Sequence, residues 1–214
     1  MHGLTQMWRK VRFFLVALMM FSAMPAHAQA DQVIAEVTRV KNGATVTRDG
    51  DVLPVTRKMS LHQDDRLTTG AAARLEVTFV DGTTLTLGEK ASIVLDSYVY
   101  APGGQGNNMA VSVVQGVFLF VTGEMGKQSD RDMKVTTQLA TIGIRGTTFW
   151  GGPLDNPMEV LLMDGAVEVR TLGGSVILDD KGEGTSIKAP GLKPLPTMSW
   201  PKEKRLRAFA TVAF

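Results

Sequence analysis

The chain has 214 residues, of which 44% are hydrophobic and 21% charged, with 23 basic and 21 acidic side chains and no cysteine. That length holds one domain, or one domain plus a tail. Without cysteine there is no disulfide, thiolate metal site, cysteine nucleophile or lipidated cysteine, and with one histidine after residue 28 a zinc or copper site is not an expectation.

At the N-terminus, Arg9, Lys10 and Arg12 precede the apolar run "FFLVALMMF", which leads into "SAMPAHAQA". A basic region, a short apolar region and small residues at Ala-x-Ala spacing make a secretory signal peptide over residues 1–28, cut after Ala28. The pairs Ala26/Ala28 and Ala28/Ala30 both satisfy the spacing. The apolar run is about a dozen residues against the roughly 20 that a spanning helix needs, and Pro25 breaks a helix just before the cut. An uncleaved membrane anchor is the alternative. Loss of the leader removes three basic residues and no acidic one, leaving 20 against 21 and a formal charge of −1. That balance argues against a nucleic-acid partner, which needs a concentrated Lys/Arg surface. It also removes His2 and His27, so His62 is the remaining histidine. No later segment approaches membrane-span length. Export without disulfides is ordinary in a bacterial periplasm, the expected location, with a secreted or surface location as the alternative.

From Val33 onward, short β-favouring runs alternate with glycine-centred turns, and no helical period is visible up to Lys188. Leu75, Val77 and Phe79 point one way and Glu76, Thr78 and Val80 the other. The same alternation recurs at Leu85/Leu87, Val111/Val113, Leu119/Val121 and Val167/Val169. "RDGD", "VDGT" and "MDGA" carry Asp-Gly, the pair suited to the positive φ of two-residue hairpins. The expectation is one all-β domain over residues 29–190, its short strands arranged as a sandwich or a β-solenoid. "YAPGGQGNNM", residues 100–109, reads as an exposed, mobile loop. Residues 191–214 form a proline-rich tail, pinned to its own domain, in which Ser199 and Pro201 start a short helix with Leu206 and Phe209 on one face, or "RAFATVAF" makes a last strand.

Signatures of chemistry fail one after another. "GEMGKQSD" lacks the first glycine and the Ser/Thr of a phosphate loop and reads as a hairpin tip. Ser175 in "LGGSVIL" lacks the second glycine of a nucleophile elbow. His62 beside Asp64 and Asp65 reads as surface rather than as a general base. Asp64/Asp65 and Asp179/Asp180 are adjacent pairs that a strand would point to opposite faces, and no twelve-residue calcium loop is present. No catalytic, cofactor-binding or metal-binding residue is assigned, and the chain is expected not to be an enzyme.

The order of features does match a pattern. Asp65 to Gly70 make a "D-x-[IL]-x-T-G" entry turn that includes Thr69 and Gly70. Asp81 and Gly82 join a strand pair, and Gly116 sits in a "QG-x-[FL]" strand. A closing run from Thr137 to Phe149 contains Gly143, Arg145, Gly146, Thr147 and Phe149. Over roughly residues 60–150 this resembles the periplasmic domain of the FecR family. One departure is that the residue before Asp65, usually glycine in the family, is Asp64 here.

The resemblance implies an all-β, solenoid-like fold. The best-known members are iron-uptake regulators that span the inner membrane, hold a sigma factor through a cytoplasmic N-terminal domain and contact the signalling domain of an outer-membrane receptor. Only about a dozen residues precede the apolar run here, too few for an anti-sigma domain, and no second subdomain is evident after residue 190. The expectation is therefore a stand-alone, exported FecR-type domain. It would act as a non-catalytic interaction module, possessing no cofactor and taking an envelope protein or receptor domain as partner. The alternatives are a structural or adhesive surface component, or an envelope polysaccharide hydrolase with two carboxyls about 5–9 Å apart. The signature residues are expected to be structural. Gly143 and Gly146 would permit a tight corner, and Arg145 would pair with an acidic turn or with carbonyls left open at the bend. Partner binding by Arg145 is the minority reading.

Overall fold

The computed structural model describes residues 32–214; the expected signal peptide and its cleavage point lie outside the described residues. The first third of the described chain supplies β1 (Val33–Lys41), β2 (Ala44–Arg48), β3 (Asp51–Pro54), β4 (Ser60–His62), β5 (Arg66–Thr69) and β6 (Arg74–Phe79). The middle supplies β7 (Thr84–Leu87), β8 (Ser92–Val99), β9 (Asn107–Gln115), β10 (Phe118–Val121), a single 3-10 turn (Glu124–Lys127), β11 (Arg131–Thr137) and β12 (Thr141–Ile144). There follow β13 (Thr148–Gly152), β14 (Met158–Asp164), β15 (Val167–Thr171), β16 (Gly174–Leu178), β17 (Glu183–Ile187), β18 (Met198–Ser199) and the helix α1 (Lys202–Ala210). That helix is far too short to cross a membrane.

The strands make two open nine-stranded sheets. Sheet A runs β18-β17-β14-β13-β10-β7-β6-β1-β4 and sheet B runs β16-β15-β12-β11-β9-β8-β5-β2-β3. The chain visits one sheet, crosses to the other and returns, and after β4, which lies at the edge of sheet A beyond β1, each visit lies farther along its sheet. Period-two alternation drives this packing: β6 and β9 bury every second side chain. The buried set includes Val77, Leu85, Phe118, Phe120 and Phe149 from sheet A and Leu67, Ile93, Val111, Val135 and Ile142 from sheet B, in one continuous core. Fully burying side chains of this kind is worth about 1.5–3 kcal/mol each.

Pairing refines the expected architecture. Among the described residues β9 and β11 pair in parallel and every other pairing is antiparallel, so the arrangement is sandwich-like rather than a coil of stacked parallel strands. The parallel pair arises where the chain leaves β9, crosses to β10 in sheet A and comes back at β11.

The Asp-Gly turns divide into two kinds. "RDGD" and "VDGT" are hairpins within a sheet, β2–β3 and β6–β7. "MDGA" is not a hairpin: it carries the chain from β14 in sheet A to β15 in sheet B. "GEMGKQSD" likewise is not a hairpin tip but the 3-10 turn between β10 and β11, which lie in different sheets. His62 ends β4 rather than lying in a loop.

Two further expectations are corrected. The loop at 100–109 is exposed only to Gly106; Asn107 and Met109 are buried on β9, and Asn107 Nδ2 donates to the Ala101 and Gly104 carbonyls. At the C-terminus the helix forms and the last strand does not. Its buried contact is Ala208, with Trp200 and Val212, against Trp150 and Leu161 on the outer face of sheet A. Leu206 and Phe209 do share a helical face, but that face is exposed, at 56% and 36%.

Candidate functional site

The signature residues are dispersed over the corners of the fold, and each corner has its own chemistry. At the entry turn, Asp65 is fully buried, accepts two hydrogen bonds from Arg48 and one from the His62 backbone N–H. Asp64 stands in the left-handed region at φ 66°, so the turn keeps a glycine-like backbone although the residue is aspartate. Thr69 Oγ1 donates to the Gly88 carbonyl at 2.7 Å and accepts from the Ala91 N–H at 2.8 Å, tying β5 in sheet B to the turn that leaves β7 in sheet A. The Gly70 carbonyl accepts the Lys90 N–H in that same turn.

Asp81 is a buried hub. Its carboxylate accepts from the Thr83 N–H and hydroxyl, from the Tyr98 phenol and from the Met125 N–H at the 3-10 turn. Gly82 follows at φ 82° and closes the β6–β7 hairpin. Burial, with the Asp81 charge adding to it, pushes the Tyr98 phenol strongly upward, so it remains a donor. Gly116, at φ 91°, lets the chain pass from β9 to β10 against Ala91.

In the closing run, Gly146 is the residue that needs to be glycine. Its φ is 63°, and an added Cβ would lie 2.8 Å from the Gly126 carbonyl oxygen. Thr147 is buried and binds the neighbouring corner through Thr122 and the Asp164 carbonyl. Phe149 packs its ring 5.7 Å from Phe118 and 5.6 Å from Phe120 in the core.

Gly143 and Arg145 behave otherwise. Gly143 has an ordinary strand backbone, and the nearest heavy atom to an added Cβ is the Glu168 carbonyl oxygen at 3.9 Å. It is not needed for a tight corner. It lies in a cross-strand row on the outer face of sheet B, between Lys134 on β11 and Glu168 on β15, with Ile177 on β16 next. Because it has no side chain, the row is interrupted by an open trough of about 400 Å³, lined by Ser129, Arg131, Asp132, Gly143, Arg145 and Glu168 among others.

Arg145 stands at this trough with an exposed side chain. Its backbone N–H donates to the Ala166 carbonyl at 3.2 Å, but its guanidinium has no hydrogen-bond or ion-pair partner among the described residues. The expected pairing with an acidic turn is therefore corrected. The acids nearby are already taken: Asp132 pairs with Lys134 at 3.0 Å and Glu168 with Arg170 at 2.7 Å. Hydrogen bonds from Arg170 and Ser175 hold the Glu168 carboxyl below its usual range, and Arg145 adds a weaker field. Arg131 donates to the Gln128 carbonyl, while its buried Nε has no partner. The trough thus carries two cations beyond those neutralised in pairs, and it can accept a carboxylate by charge-assisted hydrogen bonds. Sequence distance concealed this, since Arg131 and Arg145 meet only because β11 and β12 form a hairpin. No group of three or more His, Asp or Glu side chains suited to a metal ion occurs among the described residues.

Comparisons with known proteins agree with the fold. No curated protein sequence matches the chain significantly. Two crystal structures, each of a provisionally assigned anti-sigma factor from Parabacteroides distasonis ATCC 8503, are similar in fold, with TM-scores of 0.54 and 0.52. Both are 17% identical, and the likeness covers 66% of this chain and 62% of theirs, so the chain spans less than two thirds of their length. The family model described as FecR protein matches residues 65–168, from the buried Asp65 to Glu168 beside the trough. Residues 65–168 are thus the part of the chain that is similar to the FecR family.

Proposed function

We propose that the chain is exported to the periplasm by its N-terminal leader, cut after Ala28, and acts there as a non-catalytic interaction module in cell-surface signalling. Its partner on this reading is an envelope protein or receptor domain that presents a carboxylate to the trough at Gly143 and Arg145. Three parts follow: a leader over 1–28, the β domain over 29–190, and a tail over 191–214 that braces sheet A. The FecR match and the anti-sigma-type neighbours support a regulatory role rather than a metabolic one.

The observation that carries the reading is the state of Arg145. A cation that holds no part of the fold lies next to a strand position kept bare by Gly143, and both belong to the signature run. The remaining signature side chains are occupied with corners and core and are not available to a partner.

The test is fractionation followed by in-cell crosslinking, with the wild type and Arg145→Glu both expressed with the leader. Both should be found in the soluble periplasmic fraction. The wild type should crosslink to one envelope protein, and the charge reversal should abolish that product without lowering thermal stability. Retention in the cytoplasm, or a crosslink indifferent to Arg145→Glu, would refute the reading.

A further inference from the structure

A second surface lies on sheet A, formed largely by residues beyond the FecR match. Helix α1 carries four cations inside its span. Two are spent on the fold: Lys204 Nζ donates to the buried Glu159 at 2.8 Å, and Arg207 pairs with Asp155. The other two, Lys202 and Arg205, have no carboxylate partner among the described residues, and neither does Lys181 on the facing turn. That turn also carries Asp179, Asp180 and Glu183; Glu183 accepts the Asp179 and Asp180 N–H groups, and none of the three lines the groove described below.

Lys202, Arg205, Leu206 and Phe209 follow the i, i+3, i+4, i+7 spacing of one helical face. A helix lying on a sheet normally turns its large apolar residues inward. Here Ala208 faces inward, and Leu206 and Phe209 face a groove of about 250 Å³ that the half-buried Met163 also lines, above the fully buried Leu161 and Leu162. Lys181, Lys202 and Arg205 line the same groove, and no acidic side chain does. The helix is held in place by Glu159, which also accepts from Ser186 and Asn156, so the groove is formed before anything binds.

We infer that this groove docks an acidic-flanked apolar side chain of a partner protein. Its volume is below the roughly 300–1,000 Å³ of small-molecule sites and suits one large apolar anchor. The three unpaired cations supply the complementary charge for acidic residues on either side of that anchor. This surface is separate from the sheet B trough and does not depend on the reading of Arg145.

The test uses the mature full chain and a fluorescein-labelled peptide, Asp-Glu-Phe-Leu-Asp-Glu, in fluorescence anisotropy. Binding is expected to weaken as salt rises. It should fall about tenfold or more in Arg205→Glu and in Phe209→Ala, with circular dichroism and thermal midpoint unchanged. Arg145→Glu should bind the peptide as the wild type does, which separates this surface from the trough. Equal binding of a Lys-flanked Phe-Leu peptide, or no binding of the acidic one, overturns the inference. It is also overturned if Phe209→Ala leaves peptide binding intact while abolishing either flotation with phosphatidylglycerol vesicles or dimerisation in sedimentation, since the occupant is then a lipid surface or a second copy.

Discussion

Arg48 grips the fully buried carboxylate of Asp65 through Nε and Nη2, at 2.7 and 2.6 Å, and so joins β2 to the turn at which the FecR match begins. The pair is bidentate, a geometry in which arginine is not replaceable by lysine. Removing the cation leaves a charge with no solvent and one remaining backbone donor. Arg48→Ala is therefore expected to cost about 3 kcal/mol or more in urea denaturation, and Arg48→Lys to recover only part of it.

Gly146 and Gly143 should respond oppositely to substitution. Gly146→Ala places a side chain at φ 63° and against the Gly126 carbonyl, and should cost about 1–3 kcal/mol. Gly143→Thr meets open space in a strand that favours β-branched residues, and should be neutral or stabilising by up to about 1 kcal/mol. Thermal melts of the two variants decide this. The Gly143→Thr protein, although stable, should also lose the crosslink assigned to the trough.

Arg145→Ala should leave stability within about 0.5 kcal/mol of the wild type, because the guanidinium supports nothing in the fold. A drop of several degrees in the thermal midpoint would restore the structural role first expected for it.

Glu159 sets an acid limb on stability. Burial pushes its carboxyl up, but hydrogen bonds from Lys204, the Asp155 N–H, Ser186 and Asn156 outweigh that and hold it below its usual range. A lowered folded value means the unfolded chain binds the proton more readily. The stabilisation is then present above the ordinary glutamate range and is lost as pH falls through the lowered folded value. Asp155, lowered chiefly by Arg207, acts in the same direction. Chemical denaturation at pH 7 and at pH 3 should show Glu159→Gln less stable than the wild type at neutrality and less affected by acid. A variant with the wild-type acid loss would contradict the assignment.

Tyr98 to Asp81 is the remaining link that one substitution isolates. Tyr98→Phe keeps the ring stacked 5.4 Å from Phe79 and removes a donor from the buried carboxylate, which retains the Thr83 and Met125 donors. The expected cost is about 1–3 kcal/mol, read from the midpoint of a denaturant titration.

Much of this molecule was local and therefore legible in the sequence. Alternation at Leu75, Val77 and Phe79 marked strands, because side-chain direction in a strand depends only on its own backbone. Asp-Gly pairs marked turns, because positive φ is a property of single residues. The run from Thr137 to Phe149 marked the family for the same reason, being a series of local requirements written close together. What the tertiary structure alone decided was which residues meet across long sequence distances. "VDGT" and "MDGA" share the same local chemistry, yet one closes a hairpin and the other crosses between sheets, since the partner strand lies elsewhere. Arg145 looked like a corner brace until Asp132 and Glu168 were seen to be held by Lys134 and Arg170. Leu206 and Phe209 had the spacing of a buried face, but Trp150 of sheet A and Trp200 just before α1 already fill the space where the helix lands, leaving room there for the small Ala208. Conformational preference is encoded residue by residue; whether a charge or an apolar face is left free depends on what the rest of the chain has already covered.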